Sequence, residues 1–248
     1  MPVSPEPNLT GNLFLDCLSS RTLNVLRPSL RRTKLSAGET IYAPQKTIRD
    51  VFFPISSVIS VVSEMSDGKI SEIGIIGREG TTGLAVALGQ SSTNHRYVVQ
   101  VPDSALAMSA KAFRAAVEKE RGLNPYLLRY AQAMIVTVSQ SGACNQLHPI
   151  EKRCARWLLM AHDRVEGDVI ALTHRFLGEM LGVRRAGVTV AVSALQKRGC
   201  VSYSRGRIAV ADRERLEGAA CECYAVVEAA FKKIIGYSGS KTSDKIRA

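Results

Sequence analysis

Long apolar runs are missing from this 248-residue chain, and their absence does the first sorting. No stretch reaches the ~18 consecutive apolar residues of a membrane-spanning helix, and the opening MPVSPEPNLT lacks the basic and then apolar blocks of a secretory leader. A cytoplasmic protein with no membrane partner is therefore expected. Acidic residues are also scarce, with 22 Asp and Glu against 33 Lys and Arg and a formal charge of +11. That excess points to an anionic partner, and charge alone does not separate nucleic acid from an acidic lipid surface. The six cysteines, Cys17, Cys144, Cys154, Cys200, Cys221 and Cys223, lack both the paired spacing of a zinc motif and the density of a disulfide scaffold. Reduced and mostly buried thiols are expected, with no metal site. Enzyme signatures are missing too: no paired carboxylates, no Ser-His-Asp or Cys-His arrangement, and no glycine-rich phosphate loop ending in Lys-Ser or Lys-Thr.

What is present concentrates between Leu172 and Arg207, LTHRFLGEMLGVRRAGVTVAVSALQKRGCVSYSRGR. Thr173 is placed to cap a helix whose apolar stripe runs through Phe176, Leu177, Met180 and Leu181 and stops at Gly182, a residue suited to the left-handed end of a helix. A second helix is predicted from about Arg184 to Arg198. Val188, Ala191 and Leu195 form its inward stripe, while Arg185, Thr189, Ser193 and Gln196, with Lys197 at the edge, share a polar face of a width that fits the major groove. After Gly199, CVSY and RIAV read as two strands joined at Ser204-Arg205-Gly206, a β-hairpin wing with Arg205 and Arg207 at its tip. From Thr173 to Ala211 seven basic residues face one acidic residue, a local charge of +6. Helix, glycine turn, helix and basic wing together outline a helix-turn-helix that grips a phosphate backbone.

The rest of the chain falls into a simple order. Asn12 to Leu30 carries one or two short helices, the second limited by Pro28. From Thr33 to about Met108, short runs rich in Val, Ile, Thr and aromatics are cut by Ser36-Ala37-Gly38, Ser66-Asp67-Gly68 and Pro102-Asp103-Ser104, which predicts an antiparallel β-roll or jelly roll. Within it, GREGTTGLAVALG breaks the alternation, and its glycines bracket a short apolar segment where backbone amides could meet an anion. Lys111 to Arg121 is a short helix. A longer one, capped by Asn124 with Pro125 in its first turn, reaches about Leu147. Its Leu127, Ala131, Met134, Val138, Ser141 and Asn145 follow a 4-3-4-3-4 spacing, so they form either a two-stranded dimer seam, the favoured reading, or a stripe packed on the chain's own barrel. Pro149 marks a hinge before a helix from Ile150 to Val165. A last helix is expected from Asp212 to about Ile235, on which Cys221 and Cys223 would point to different sides and share no metal.

This order of parts resembles the Crp/Fnr family of bacterial transcription regulators, most specifically at GREGTTGLAVALG and LTHRFLGEMLGVRRAGVTVAVSALQKRG. The resemblance implies an α+β protein: a cyclic-nucleotide-binding-like β-roll sensor over 1–123, a dimerisation helix over 124–147 and a winged helix-turn-helix over 148–236; the small, polar and basic composition of 237–248 predicts a disordered tail. It also implies double-stranded DNA and a second copy as partners, with RNA polymerase a further candidate. Arg185 matches the family's early guanine-contacting arginine. The acidic residue and second arginine of the cyclic-AMP-responding members are Ala186 and Val190 here, so a different operator is expected. Arg184, Thr189 and Ser193 are further base or phosphate candidates, and Thr173, Arg175, Lys197, Arg205 and Arg207 are backbone clamps. The effector pocket maps to Gly83, Leu84, Arg96 and Tyr97. Leu84 cannot accept a ribose hydrogen bond and Tyr97 is bulky where a small hydroxyl is needed, so cyclic AMP is not expected to bind. An iron–sulfur centre lacks ligands, since Cys17 alone precedes the barrel, and none of His95, His148, His162 and His174 is marked as a haem ligand. The competing reading is a ligand-binding regulatory module that acts through a protein partner.

Overall fold

The computed structural model describes residues 10–235, with side chains through residue 233. The lead before Thr10 and the expected basic tail lie outside the described residues. Two short helices come first, α1 (Leu13–Asp16) and α2 (Ser20–Leu26), and α2 runs into a single 3-10 turn at Arg27–Ser29 where Pro28 stops it. Asn12 accepts from the Leu15 amide to cap α1. It also donates to the Pro54 and Gly80 carbonyls at 2.7 and 3.0 Å, which pins the helix to the barrel.

The expected β-roll follows as β1 (Arg31–Leu35), β2 (Thr40–Tyr42), β3 (Asp50–Pro54), β4 (Val58–Glu64), β5 (Ile70–Ile76), β6 (Arg96–Val101) and β7 (Asp103–Ser109). They pair antiparallel in two sheets of order β1-β7-β3 and β2-β6-β4-β5. β4 and β5 are joined through the expected Asp67-Gly68 turn, with Gly68 at φ +77°. The run from Gly77 to Gly89 holds α3 (Leu84–Ala87), and β7 leads into α4 (Ala110–Lys119), capped by Ser109.

The long helix α5 (Asn124–Leu147) starts one residue earlier than its sequence suggests: Leu123 occupies the cap position, and Asn124 is already helical. Then come α6 (Ile150–His162), β8 (Val169–Ala171), α7 (His174–Leu181), α8 (Arg185–Lys197), β9 (Val201–Ser204) and β10 (Arg207–Val210), with the small sheet ordered β8-β10-β9. The last helix departs from expectation. It is two helices, α9 (Arg213–Ala219), capped by Asp212, and α10 (Cys223–Ile235). No proline marks the break. Its cause is tertiary: the extended Ala220 lets α10 fold back along α5 and brings the Tyr224 hydroxyl to Asp163 at 2.9 Å.

One apolar core runs from the roll, through Val62 and Ile75, into the winged helix at Leu158, Leu177 and Leu195. Two buried polar links reinforce it. Trp157 in α6 donates its indole N–H to Glu72 in β5 at 2.9 Å, and Arg164 donates to Glu79 in the glycine-rich loop at 2.8 Å.

Candidate nucleic-acid interface and effector pocket

The helix-turn-helix is set by local signals. The Thr173 hydroxyl accepts from the Phe176 amide at 3.2 Å, and Gly182 ends α7 in the left-handed region at φ +64°. Behind the turn, the buried guanidinium of Arg153 in α6 donates to the Leu181 carbonyl and caps α7 from below. Gly182 rests on Ser71 of β5, so the turn abuts the β4–β5 hairpin.

Helix α8 buries Val188, Ala191, Val192 and Leu195 and turns the opposite face outward. Arg185, Thr189, Ser193, Gln196 and Lys197 are all exposed on it, as are Ala186 and Val190. Val190 is 70% exposed, an apolar side chain on a polar face, where it suits a thymine methyl. Thr189 has less to offer than its position suggests. Its hydroxyl donates to the Arg185 carbonyl at 3.1 Å and so accepts from His174 Nδ1 at 3.1 Å, which fixes the Nδ1–H tautomer. Burial and then the nearby Arg185 hold His174 below the usual imidazole range, and its ring stacks on Tyr203 at 4.0 Å. The pair braces the wing against the reading helix.

The flanking cations spread along both sides. Arg205 and Gly206, both at positive φ (+46° and +76°), form a two-residue type I′ loop between the paired Ser204 and Arg207, so Arg205 and Arg207 extend from the wing tip. Arg175 is exposed and pairs with Glu179 at 3.2 Å. Arg184 diverges from Arg185: it lines a groove with Glu64, Lys69, Arg96 and Glu179, between the roll and α7. Thr173, Arg185, Ser193, Lys197, Arg205 and Arg207 thus lie on the open surface of the winged helix, with Arg184 at its inner edge.

The four residues matched to the effector pocket are not brought together. Adjacent residues on a strand face opposite sides, and β6 obeys: Arg96 turns to the groove and to Glu64 at 3.6 Å, while Tyr97 packs against Tyr42 with ring centroids 4.8 Å apart and planes inclined at 51°. Tyr42 in turn donates to the Asp50 carbonyl at 2.6 Å, which leaves Thr82 as the donor across their 2.7 Å hydroxyl contact. Gly83 caps α3 hard against Val51 and Phe113, where an added Cβ would lie 2.6 Å from Val51 Cγ1. Leu84 lines a separate apolar cavity of about 220 Å³ with Leu88, Asn124 and Leu127. The amides of Gly77, Gly80, Thr82 and Gly83 already have partners inside the protein, and the four-residue α3 offers little dipole for an anion.

On α5 the expected seam divides. Leu127 and Ser141 are buried in the chain's own core, and Met134 packs against Gly74 of β5. Ala131 and Val138 face outward, on a stripe displaced by one residue: Leu128, Ala131, Ile135, Val138 and Gly142, with Leu128 64% and Ile135 58% exposed. Both stripes have the same 3.5-residue period, so spacing could not tell them apart.

Cys221, expected on a helix, lies in the loop before α10. It faces Cys144 and sits near Cys223 and His148. The Cys144 hydrogen bond holds the Cys221 thiol well below the usual range, and the same bond with burial raises Cys144. No spacing rule in the sequence flags this group, because its members come from the end of α5 and the start of α10, with Cys144 and Cys221 77 residues apart.

Residues 152–219 match the family model of a Crp-like helix-turn-helix domain. No curated protein sequence matches the chain. Among solved structures, FixK2 from Bradyrhizobium japonicum is similar with a TM-score of 0.65 and 18% identity, covering 77% of this chain and 98% of that one. A CRP-family transcriptional regulator from Thermus thermophilus gives 0.61 and 16% over 84% and 98%. The c-di-GMP-responsive global regulator CLP from Xanthomonas campestris gives 0.62 and 10% over 78% and 100%. At such identities the likeness to these structures is one of fold.

Proposed function

We propose, from the Crp-like helix-turn-helix domain over residues 152–219 and a fold shared with regulators of the Crp/Fnr family, that the chain is a Crp/Fnr-type homodimeric regulator binding an inverted-repeat DNA site. The observation that carries this reading is the outward face of α8. Arg185, Val190, Ser193 and Gln196 stand exposed there, and Arg205 and Arg207 of the wing tip and Arg175 of α7 are exposed as well. A guanidinium at Arg185 fits guanine O6 and N7, and Lys197, Arg205 and Arg207 supply sequence-independent phosphate contacts.

Two-fold symmetry would come from the outer stripe of α5. Leu128, Ile135 and Val138 are large, apolar and exposed along one helix face, the pattern of an uncovered coiled-coil seam. Cyclic AMP is not the effector in this reading. Leu84 offers no ribose acceptor, Arg96 faces Glu64, and Tyr97 and Tyr42 occupy the interior beside Thr82.

Selection of bound fragments from random duplex DNA at ~150 mM salt tests the reading. The wild-type protein should enrich an inverted repeat, with or without cyclic AMP. Arg185→Ala should relax one base position per half-site at a cost of about 1–3 kcal/mol. Ile135→Asp should leave the fold intact, shift sedimentation to the monomer and abolish enrichment of paired half-sites. No enriched sequence, or enrichment that requires cyclic AMP, would overturn the respective part.

A further inference from the structure

Four side chains away from the DNA-facing surface gather where α5 ends, at the hinge and at the start of α10. Cys144 and the hinge residue His148 are four apart at the end of α5, and Cys221 and Cys223 flank Glu222. Their sulfur and ring-nitrogen atoms all lie within 4.8 Å of one another, with Cys144 Sγ 3.5 Å from Cys221 Sγ and Cys223 Sγ 3.5 Å from His148 Nδ1. A tetrahedral zinc ion, bound at ~2.3 Å to sulfur and ~2.0 Å to nitrogen, sets its ligand atoms about 3.5–3.8 Å apart. A disulfide would need its sulfurs at ~2.05 Å, so the spacing fits coordination and not a bond.

We propose that Cys144, His148, Cys221 and Cys223 form a tetrahedral site for a thiophilic divalent metal ion, zinc above all, which ties α10 to the hinge between α5 and α6. Packing alone does not account for the group: the three cysteines form a cluster of their own, apart from the main core. The surroundings are those of a metal site. His148 Nε2 lies 3.2 Å from Glu222 Oε1, so the carboxylate takes the ring N–H and leaves Nδ1 for the metal. Gln140 Nε2 lies 3.0 Å from Cys223 Sγ, a donor for a thiolate.

Charge points the same way. A divalent ion held by three thiolates, which release their protons to solvent, and one neutral imidazole leaves a net charge of −1. Arg156 is 5% exposed and donates to Ser141 Oγ at 3.3 Å, its Nε has no hydrogen-bond partner, and its charge reaches Cys144 and Cys221 as well as the buried Glu72 carboxylate. It is a buried cation beside the cluster, and the site would place a further negative charge next to it. The side chain of Glu222, 71% exposed, leaves an entry path for the ion.

The test uses the full chain, purified under reducing conditions, stripped with a chelator and titrated with Zn²⁺ against a chromophoric competitor, and separately with Co²⁺. One equivalent per chain should bind. The Co²⁺ form should show thiolate charge-transfer and tetrahedral ligand-field absorption. Cys221→Ser and Cys223→Ser should each weaken binding ~100-fold or more, and the exposed Glu222→Gln, which leaves every ligand in place, about tenfold. No stoichiometric uptake, uptake indifferent to all three substitutions, or a Cys144–Cys221 disulfide in place of metal would each overturn the proposal. None of these readouts depends on DNA binding.

Discussion

The glycine-rich loop of the β-roll and the surface of the winged helix draw on the same residue types: glycine, arginine and hydroxyls. They treat them in opposite ways. In the loop, amides are satisfied within the fold, Glu79 is buried against Arg164, and Tyr42 and Tyr97 fill the adjoining interior. On α8 and the wing, arginines and hydroxyls stand in solvent with few internal partners. The first arrangement holds two halves of a molecule together. The second waits for a partner, and the contrast predicts that substitutions in the loop act on stability while those on the winged-helix surface act on DNA binding.

The largest effect should come from Glu79→Ala. It removes the buried carboxylate that the Arg164 guanidinium, 5% exposed, pairs with in the shared core, and loss of a buried ion-pair partner costs about 3–5 kcal/mol. Denaturant unfolding measures it, and base preference in DNA selection should not change. A loss well under 1 kcal/mol would mean that water or the Met160 carbonyl, already bonded to Arg164, replaces the carboxylate.

Glu72 gives the next effect, and it depends on pH. Burial pushes its carboxyl up to about 7 in spite of hydrogen bonds from Ser60 and Trp157. The folded state therefore keeps this proton to a higher pH than the unfolded chain does, so stability should fall between about pH 4 and 7 by on the order of 3 kcal/mol and then level off. A protonated Glu72 also completes the chemistry around it. Ser60 Oγ lies 2.5 Å from Glu72 and 2.7 Å from Gln100 Oε1, and its single hydrogen can serve only one of them. Glu72→Gln should remove that slope and stabilise the protein at pH 8. Parallel pH profiles for the two proteins would refute the assignment.

The smallest effect should be Arg205→Asn. Asparagine tolerates the positive φ of the wing turn, so unfolding should shift by no more than ~0.5 kcal/mol. Binding should weaken equally on all sequences, and the salt dependence should drop by about one counterion. A change of base preference would place Arg205 in a groove instead of on phosphate.

Legibility followed the range of the physics. The winged helix was readable because its signals are local: the Thr173 cap, the Gly182 turn, the apolar stripe of α8 and the glycine of the hairpin each act within a few residues. The uncovered face of α5 was readable only to within one residue, because Leu127-Met134-Ser141 and Leu128-Ile135-Gly142 repeat with the same period, and β5 and α10 choose which is covered. Arg96 and Tyr97 could be matched as a pair by position, yet strand alternation separates them once the register of β6 is set. Val190 was noted as a departure from an arginine, and only the structure shows that it stands 70% exposed on the outer face of α8.

The cysteine cluster shows where reading by sequence stops. Cys221 and Cys223 point apart if one helix spans them, and the break at Ala220 reverses that conclusion. Composition, charge and hydrophobic period by themselves determined a basic chain with a β-roll, a long helix and a helix-turn-helix, because each rests on neighbours in sequence. Tertiary structure alone decided which face of α5 is free, which polar groups are satisfied, and that thiols 77 residues apart meet at a hinge. Those outcomes depend on how helices and sheets pack against one another, a contest among distant surfaces that no local pattern encodes.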